Sequence, residues 1–230
     1  MATLPQAILF DALGTLVELD DPIGRLTRAL AGRGVAADAG AVAAALRAEI
    51  DHYRAEHHVA VDASSLAQLR RECAAVFASA LGEPVAGLAP ADLHDALLEG
   101  LRFRVFADVR PVLAELRRRG VALAVVSNWD VSLHEVLAET GLTEHFAVVL
   151  TSAQERTAKP DPVMFQRALE RLGGVPPNAA IHVGDDPVAD AAGARAAGVE
   201  PRLLDRDGGC SPPPGTAVIR TLSELPGATA

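Results

Sequence analysis

Three stretches of the chain put reactive side chains directly behind apolar runs, and a fourth lies in the region after another such run. Asp11 ends the run Ala7-Ile8-Leu9-Phe10, and Gly14 and Thr15 follow it. Ser127 and Asn128 end the valine-rich run before them, in VVSN. Lys159 stands in TAKPDP, and Asp185 and Asp186 close the run IHVG, with Asp190 four residues on. A carboxylate at the end of a buried strand is costly unless it is used or paired. Together these groups suit phosphoryl transfer or a close relative of it. Asp11 is a carboxylate nucleophile. Ser127 can donate to a bound anion, and Lys159 can balance the charge of that anion and of Asp11. Asp185 and Asp186 offer hard oxygens of the kind Mg²⁺ takes. A metal there offsets repulsion between nucleophile and phosphate and stabilises the transferring group. Of the 21 lysines and arginines only one, Lys159, is a lysine, and it falls among these groups.

The elements that must carry these residues are legible from hydrophobic periodicity. A strand runs over about 7–10. The next stretch reads as helices only. Val42, Leu46, Ile50 and Tyr53 share one helical face, as do Leu66, Leu69, Cys73, Val76 and Leu81, with Ser64 or Ser65 as the expected cap. PADLHDALLEGL and DPIGRLTRALAGRG read as two more helices. After Phe106 the pattern becomes helix and strand in alternation, ending in the strands EPRLLD and TAVIRTL. Strands alternating with helices through short links predict an α/β fold, a Rossmann-like parallel sheet with helices on both faces. The expected division is a discontinuous core of 1–16 and 105–230, with an α-helical cap domain over 17–104. In such a sheet ligands bind beyond the carboxyl ends of the strands, where all four stretches end.

Composition narrows the function classes. Half of the 230 residues are hydrophobic, enough for a sizeable core without staples. The net charge of −9 argues against nucleic acid or an anionic membrane as the main partner. No apolar run reaches the roughly 18 residues of a membrane span, and MATLPQAILFDALG does not read as a signal peptide. Cys73 and Cys210 are expected to be free thiols in a reducing cytosol, so the expected location is cytoplasmic. A small-molecule substrate is the expected partner, and the chain a monomer or homodimer.

The four stretches, FDALGTL, VVSN, KPDP and VGDDPVAD, resemble the motifs of the haloacid dehalogenase superfamily of hydrolases, in its subgroup with a helical cap after the first strand. The resemblance implies Asp11 as nucleophile, Ser127 and Lys159 as anion holders, and Mg²⁺ held by Asp11, Asp185, Asp186 and the main-chain carbonyl of Leu13. Thr15 and Asn128, at the same edge, complete the expected substrate-binding set. The departure is Leu13. Most phosphatases of the family carry a second acid there, which protonates the leaving alkoxide. Such acid–base help is typically worth about 10²–10⁴-fold. The leading expectation is a Mg²⁺-dependent phosphohydrolase of small phosphate monoesters with an altered acid. One alternative is a 2-haloacid dehalogenase, whose halide leaves without a proton, and another is an impaired binding protein.

Blander roles are expected elsewhere. One of Asp185 and Asp186 can cap the helix at Pro187. Asp190 orients a ligand or faces solvent. His52, His57 and His58 do not share one helical face, and His182 reads as a core residue of its strand. Trp129 reads as packing, and Arg117 to Arg119 as cations suited to a helix end.

Overall fold

The computed structural model describes residues 4–228. The chain divides into two compact units, one running to Glu18 and resuming at Val105, the other spanning Leu19–Arg104. In chain order the first elements are β1 (Ala7–Phe10), β2 (Val17–Leu19), α1 (Pro22–Ala31), α2 (Ala39–Glu56), α3 (Ala63–Leu81), α4 (Pro90–Gly100) and β3 (Phe103–Val105). Next come α5 (Val109–Arg118), β4 (Ala122–Ser127), α6 (Leu133–Glu139), β5 (Val148–Thr151), α7 (Ser152–Glu155) and α8 (Pro162–Arg171). The chain continues through β6 (Ala180–Gly184), α9 (Gly193–Ala196), β7 (Glu200–Leu204) and β8 (Ala217–Ile219).

The first unit is built on a six-stranded sheet in the order β5-β4-β1-β6-β7-β8, with neighbouring strands parallel throughout. All four residues of β1 are buried, as a strand covered on both faces requires. Leu9, Ala124, Val126 and Leu150 of the sheet pack with Met164, Phe165, Ala168 and Leu169 of α8. The register sets the chemistry. Phe10 pairs with Val125 on one side and Val183 on the other, so Asp11, Ser127 and Asp185 leave the sheet at the same edge. The Asp11 amide extends the ladder by donating to the Val183 carbonyl at 2.9 Å. The connections leaving β1 and β6 depart to opposite sides, which opens a crevice between those two strand ends.

The second unit is helical. Its helices α1, α2 and α3 start where short acidic side chains satisfy free amides. Asp38 accepts from Gly40 and Ala41 at α2. At α3 the cap is Asp62, not the expected Ser64 or Ser65; Ser65 stands three residues in and returns the bond, completing a capping box. Gly100 of α4 lets Leu26 of α1 close in, since a Cβ there would lie 2.4 Å from the leucine side chain. A forked Arg33–Glu99 pair ties the turn after α1 to α4. The expectation of helices alone between 17 and 104 is corrected by β2 and β3, which pair as a two-stranded ribbon. Three residues each are too few to show a period in sequence.

Glu49 of α2 is a buried carboxyl, only 3% exposed. Burial raises its pKa above the ordinary 4.5, against smaller opposing effects of the Cys73 thiol and His52. The unfolded chain therefore releases this proton at lower pH than the folded chain does. Stability falls as pH rises from about 4.5 through the raised folded value and stays reduced above it. Glu49→Gln, which keeps an acceptor for the thiol, should unfold at a higher temperature than wild type at pH 8. The difference should shrink toward zero near pH 4. Thermal melts across that range check it, and a pH-independent difference would contradict the sign.

Candidate active site

Asp11 is almost fully buried, 7% exposed, at the carboxyl end of β1. One carboxylate oxygen, Oδ1, takes two bonds: Ser127 Oγ donates at 2.9 Å and Lys159 Nζ at 2.6 Å. These three residues come from the ends of β1 and β4 and from the loop before α8, so the sheet edge assembles what the sequence scatters. Lys159 Nζ also donates to Asp190 Oδ1 at 2.5 Å. Asp190 in turn accepts from His182 Nε2 on Oδ1 at 2.8 Å and from the Asp186 amide on Oδ2 at 3.0 Å.

A local irregularity delivers Asp190. Residues Pro187–Ala192 form a π-helical turn in which the Ala191 amide reaches back five residues to the Asp186 carbonyl. Such turns are rare, and this one directs Asp190 inward rather than to solvent. Two glycines leave room. A Cβ on Gly184 would sit 2.1 Å from Asp190 Cγ, and one on Gly14 would sit 2.3 Å from Asp185 Oδ2. Gly14 also has φ +77, a conformation other residues rarely adopt.

The expected site residues do not all keep their expected tasks. Asp11, Ser127, Lys159 and Asp185 gather as a group, and the peptide of Leu13 lies next to Gly14 over Asp185. Asp186 does not join them. Its Oδ1 accepts from the Val188 and Ala189 amides, both at 2.7 Å, so it caps the π-helical turn. The close acidic group is Asp11, Asp185 and Asp190, with one ligand oxygen of each within 4.8 Å of the others. The Asn128 side chain is engaged with the lysine loop. Its amide donates to the Lys159 carbonyl at 2.9 Å and accepts from the Lys159 amide at 2.8 Å, which brackets the lysine main chain. Thr15 is wholly buried with its Oγ1 unpartnered, and Arg206 holds its carbonyl at 2.9 Å. It therefore presents no side-chain surface to a substrate. Leu13 is 42% exposed. Sequence reading missed the central place of Asp190 and the task of His182. The available signal was a histidine inside an otherwise apolar strand.

Electrostatics separates the three carboxylates. Burial opposes the charge of Lys159, but Asp11 and Asp190 outweigh it and hold its pKa above the ordinary value. Burial also opposes the charge of Asp190, but Lys159 and His182 outweigh it and hold the carboxyl well below the usual range. Burial pushes Asp11 up, and Asp190 adds to this against the pull of Lys159. Of the two carboxylates that share the lysine, Asp190 is thus the fixed anion, because it has further donors. Asp185 is open to solvent at its rim. Enclosure of the rest, followed by repulsion from Asp11 and Asp190, pushes it up to about 7. Three carboxylates around one ammonium leave surplus negative charge, and all the free donors are hard oxygens. This set fits a divalent cation such as Mg²⁺.

The family model for haloacid dehalogenase-like hydrolases matches residues 5–198. The zebrafish (Danio rerio) haloacid dehalogenase-like hydrolase domain-containing protein 3 is 39% identical over 127 residues, 54% of this chain and 52% of that protein. A phosphoserine phosphatase of Thermus thermophilus is 43% identical over 136 residues, 57% of this chain and 53% of that enzyme. The chain spans about half the length of these curated relatives. Among solved structures, the 2-haloacid dehalogenase of Pseudomonas syringae pv. Tomato is 25% identical with a TM-score of 0.66, covering 98% of each chain. With the family model covering most of its length and the six-stranded parallel core built as described, the chain belongs to the haloacid dehalogenase-like hydrolases.

Proposed function

We propose that the protein is a Mg²⁺-dependent phosphohydrolase of small phosphate monoesters, with Asp11 as the nucleophile. The observation that carries this reading is the surplus negative charge beside Asp11. Asp185, pushed up to about 7, stands within reach of Asp11, and among the described residues no cation pairs with it directly. Asp11, Asp185 and the Leu13 carbonyl would hold the metal; both oxygens of Asp190 are already engaged. Bound there, Mg²⁺ supplies charge neutralisation for the phosphate and the carboxylates. The similarity to a named phosphatase supports the same reading.

The residues divide the work. Ser127 and Lys159 fix Oδ1 of Asp11, which leaves Oδ2 to attack phosphorus. The bond from phosphorus to the leaving oxygen breaks as the bond to Asp11 forms, giving an aspartyl phosphate that water then hydrolyses. Lys159 balances charge on Asp11 and on the transferring group. Leu13 contributes no proton, so leaving groups that depart as stable anions are favoured. A dehalogenase reading has its own support in the neighbour that matches over almost the whole chain, and in the non-acid at Leu13. Carbon displacement by Asp11 gives no task to Asp185, however, and the phosphohydrolase reading does.

The deciding assay compares hydrolysis of an aryl phosphate, with and without Mg²⁺, against halide release from 2-chloropropionate. Mg²⁺-dependent phosphate release without halide release is expected; the reverse pattern would overturn the reading. Millimolar Mg²⁺ should also raise the melting temperature by mass action. Asp185→Asn should lose that rise. Asp186→Ala should keep it while costing about 0.5–2 kcal/mol of stability through the lost cap. A metal response that survives in the first variant and vanishes in the second would assign the ligand to Asp186 after all.

Leu13→Asp should act selectively. Alkyl phosphates leave as basic alkoxides and should gain up to about 10²–10⁴-fold in turnover, the usual range of general acid catalysis. Aryl phosphates should gain little. Steady-state rates for a matched alkyl and aryl pair test this, and an equal response of both would remove Leu13 from the proton-transfer account.

A further inference from the structure

We propose that His182 is a positioning residue that holds Asp190, and through it Lys159, in register with Asp11. The proposal rests on the reading of Asp11 as the reacting group. His182 lies in the middle of β6 with no exposed surface, between Ile181 and Val183. Its Nε2 is 2.8 Å from Asp190 Oδ1. The same oxygen receives Lys159 Nζ at 2.5 Å, and Nζ reaches Asp11 Oδ1 at 2.6 Å. The contacts form one chain: imidazole, carboxylate, ammonium, nucleophile.

The other ring nitrogen separates this role from packing. Nδ1 is buried and has no hydrogen-bond partner among the described residues. Phe165 stands edge-on to the ring, with centroids 4.9 Å apart and planes at 82°. An unmatched buried polar atom costs free energy, so packing alone favours an apolar side chain at this point of β6. The partner also assigns the proton. An ionised carboxylate only accepts, so Nε2 carries a hydrogen toward Asp190.

Asp190 needs that donor. Its carboxylate is 2% exposed, so solvent cannot replace a lost bond. With His182 in place, Oδ1 is drawn toward two donors while the Asp186 amide holds Oδ2. Both torsional ends are then fixed, and the ammonium is shared between Asp190 and Asp11 at defined places. Without His182, Oδ1 follows Lys159 alone, and the position of Nζ against Asp11 is no longer set.

Methionine and glutamine have nearly the same shape, and only glutamine donates. His182→Met should therefore lower kcat about 10–100-fold, the usual cost of losing a group that orients a reactive or metal-binding side chain. KM should change little, and the variant should remain folded, as circular dichroism checks. His182→Gln should recover most of kcat. Turnover of an aryl phosphate with Mg²⁺ provides the rates. Wild-type kcat in His182→Met, or a folded His182→Gln as slow as His182→Met, would overturn the proposal. A second measurement needs no variant. In ¹⁵N-resolved NMR of the wild-type protein, His182 should carry a proton on Nε2, and a ring protonated on Nδ1 alone would overturn the proposal. Absence of aryl phosphate turnover in the wild type would defeat the phosphohydrolase reading instead, and the NMR result would still decide the role of His182.

Discussion

One ammonium shared by two buried carboxylates is the constraint on which the rest of the site depends. Lys159 lies between Asp11 and Asp190, and all three are nearly closed to solvent. Breaking a buried ion pair by removing one partner is far more costly than never having made it, because the remaining charge stays unpaired. The surroundings show the consequences. Asn128 clamps the lysine main chain on both sides. The Asp186 amide holds the far oxygen of Asp190. An arginine in place of Lys159 could not meet both acceptors from the same depth, since its planar fork is wider than a point charge.

The parallel sheet supplies the coordinates for this cluster. Side chains that follow β1, β4 and β6 leave the same edge because parallel strands in register end together. The crevice between β1 and β6 receives Asp11 and Asp185 because the chain reverses its direction of travel across the sheet there. Close approach then depends on residues without side chains. Gly184 lets Asp190 rest against the end of β6, and Gly14 lets Asp185 fold over the turn behind Asp11. Gly193 does the same one turn later, where a Cβ would come within 2.9 Å of Pro160 Cα beside the lysine. A methyl group at any of the three would displace a charged or main-chain group of the site rather than a flexible surface chain.

Much of this was legible in the sequence, and the limits have physical causes. The alternation of strands and helices after Phe106 was strongly periodic, so the sheet and the members of its carboxyl edge could be read directly. Asp11, Ser127 and Lys159 were legible because each ends or follows an apolar run. The short β2–β3 ribbon was not, because three-residue strands show no period. The tasks of Asp186 and Asp190 stayed open in the sequence for a subtler reason. Two adjacent acids and a third four residues on are compatible with several helix starts, and only the π-helical turn decides which one faces inward. Asn128 and Thr15 carry polar groups at the right edge, but what those groups touch depends on the loop before α8 and on Arg206, and neither contact is written in local sequence.

Leu13 acquires a physical meaning in this setting beyond a missing acid. The cluster already gathers three carboxylates around one ammonium. Other acids near the same edge are committed: Asp186 to its cap, Asp161 to the Val163 amide at α8, and Asp130 to the Ser132 amide. In the helical unit Asp20 pairs with Arg25, and Asp21 pairs with Arg28 and caps α1. A fourth carboxylate at position 13 would stand one residue from Gly14, over which Asp185 lies, and would add a like charge to the burial and repulsion that together lift Asp185 to about 7. Leucine keeps that charge out and leaves the main-chain carbonyl in place. Under the proposed phosphohydrolase reading, the site would lose a proton donor but repel an anionic substrate less. That balance would favour leaving groups that need no proton, for which the lost donor costs little and the reduced repulsion is kept in full.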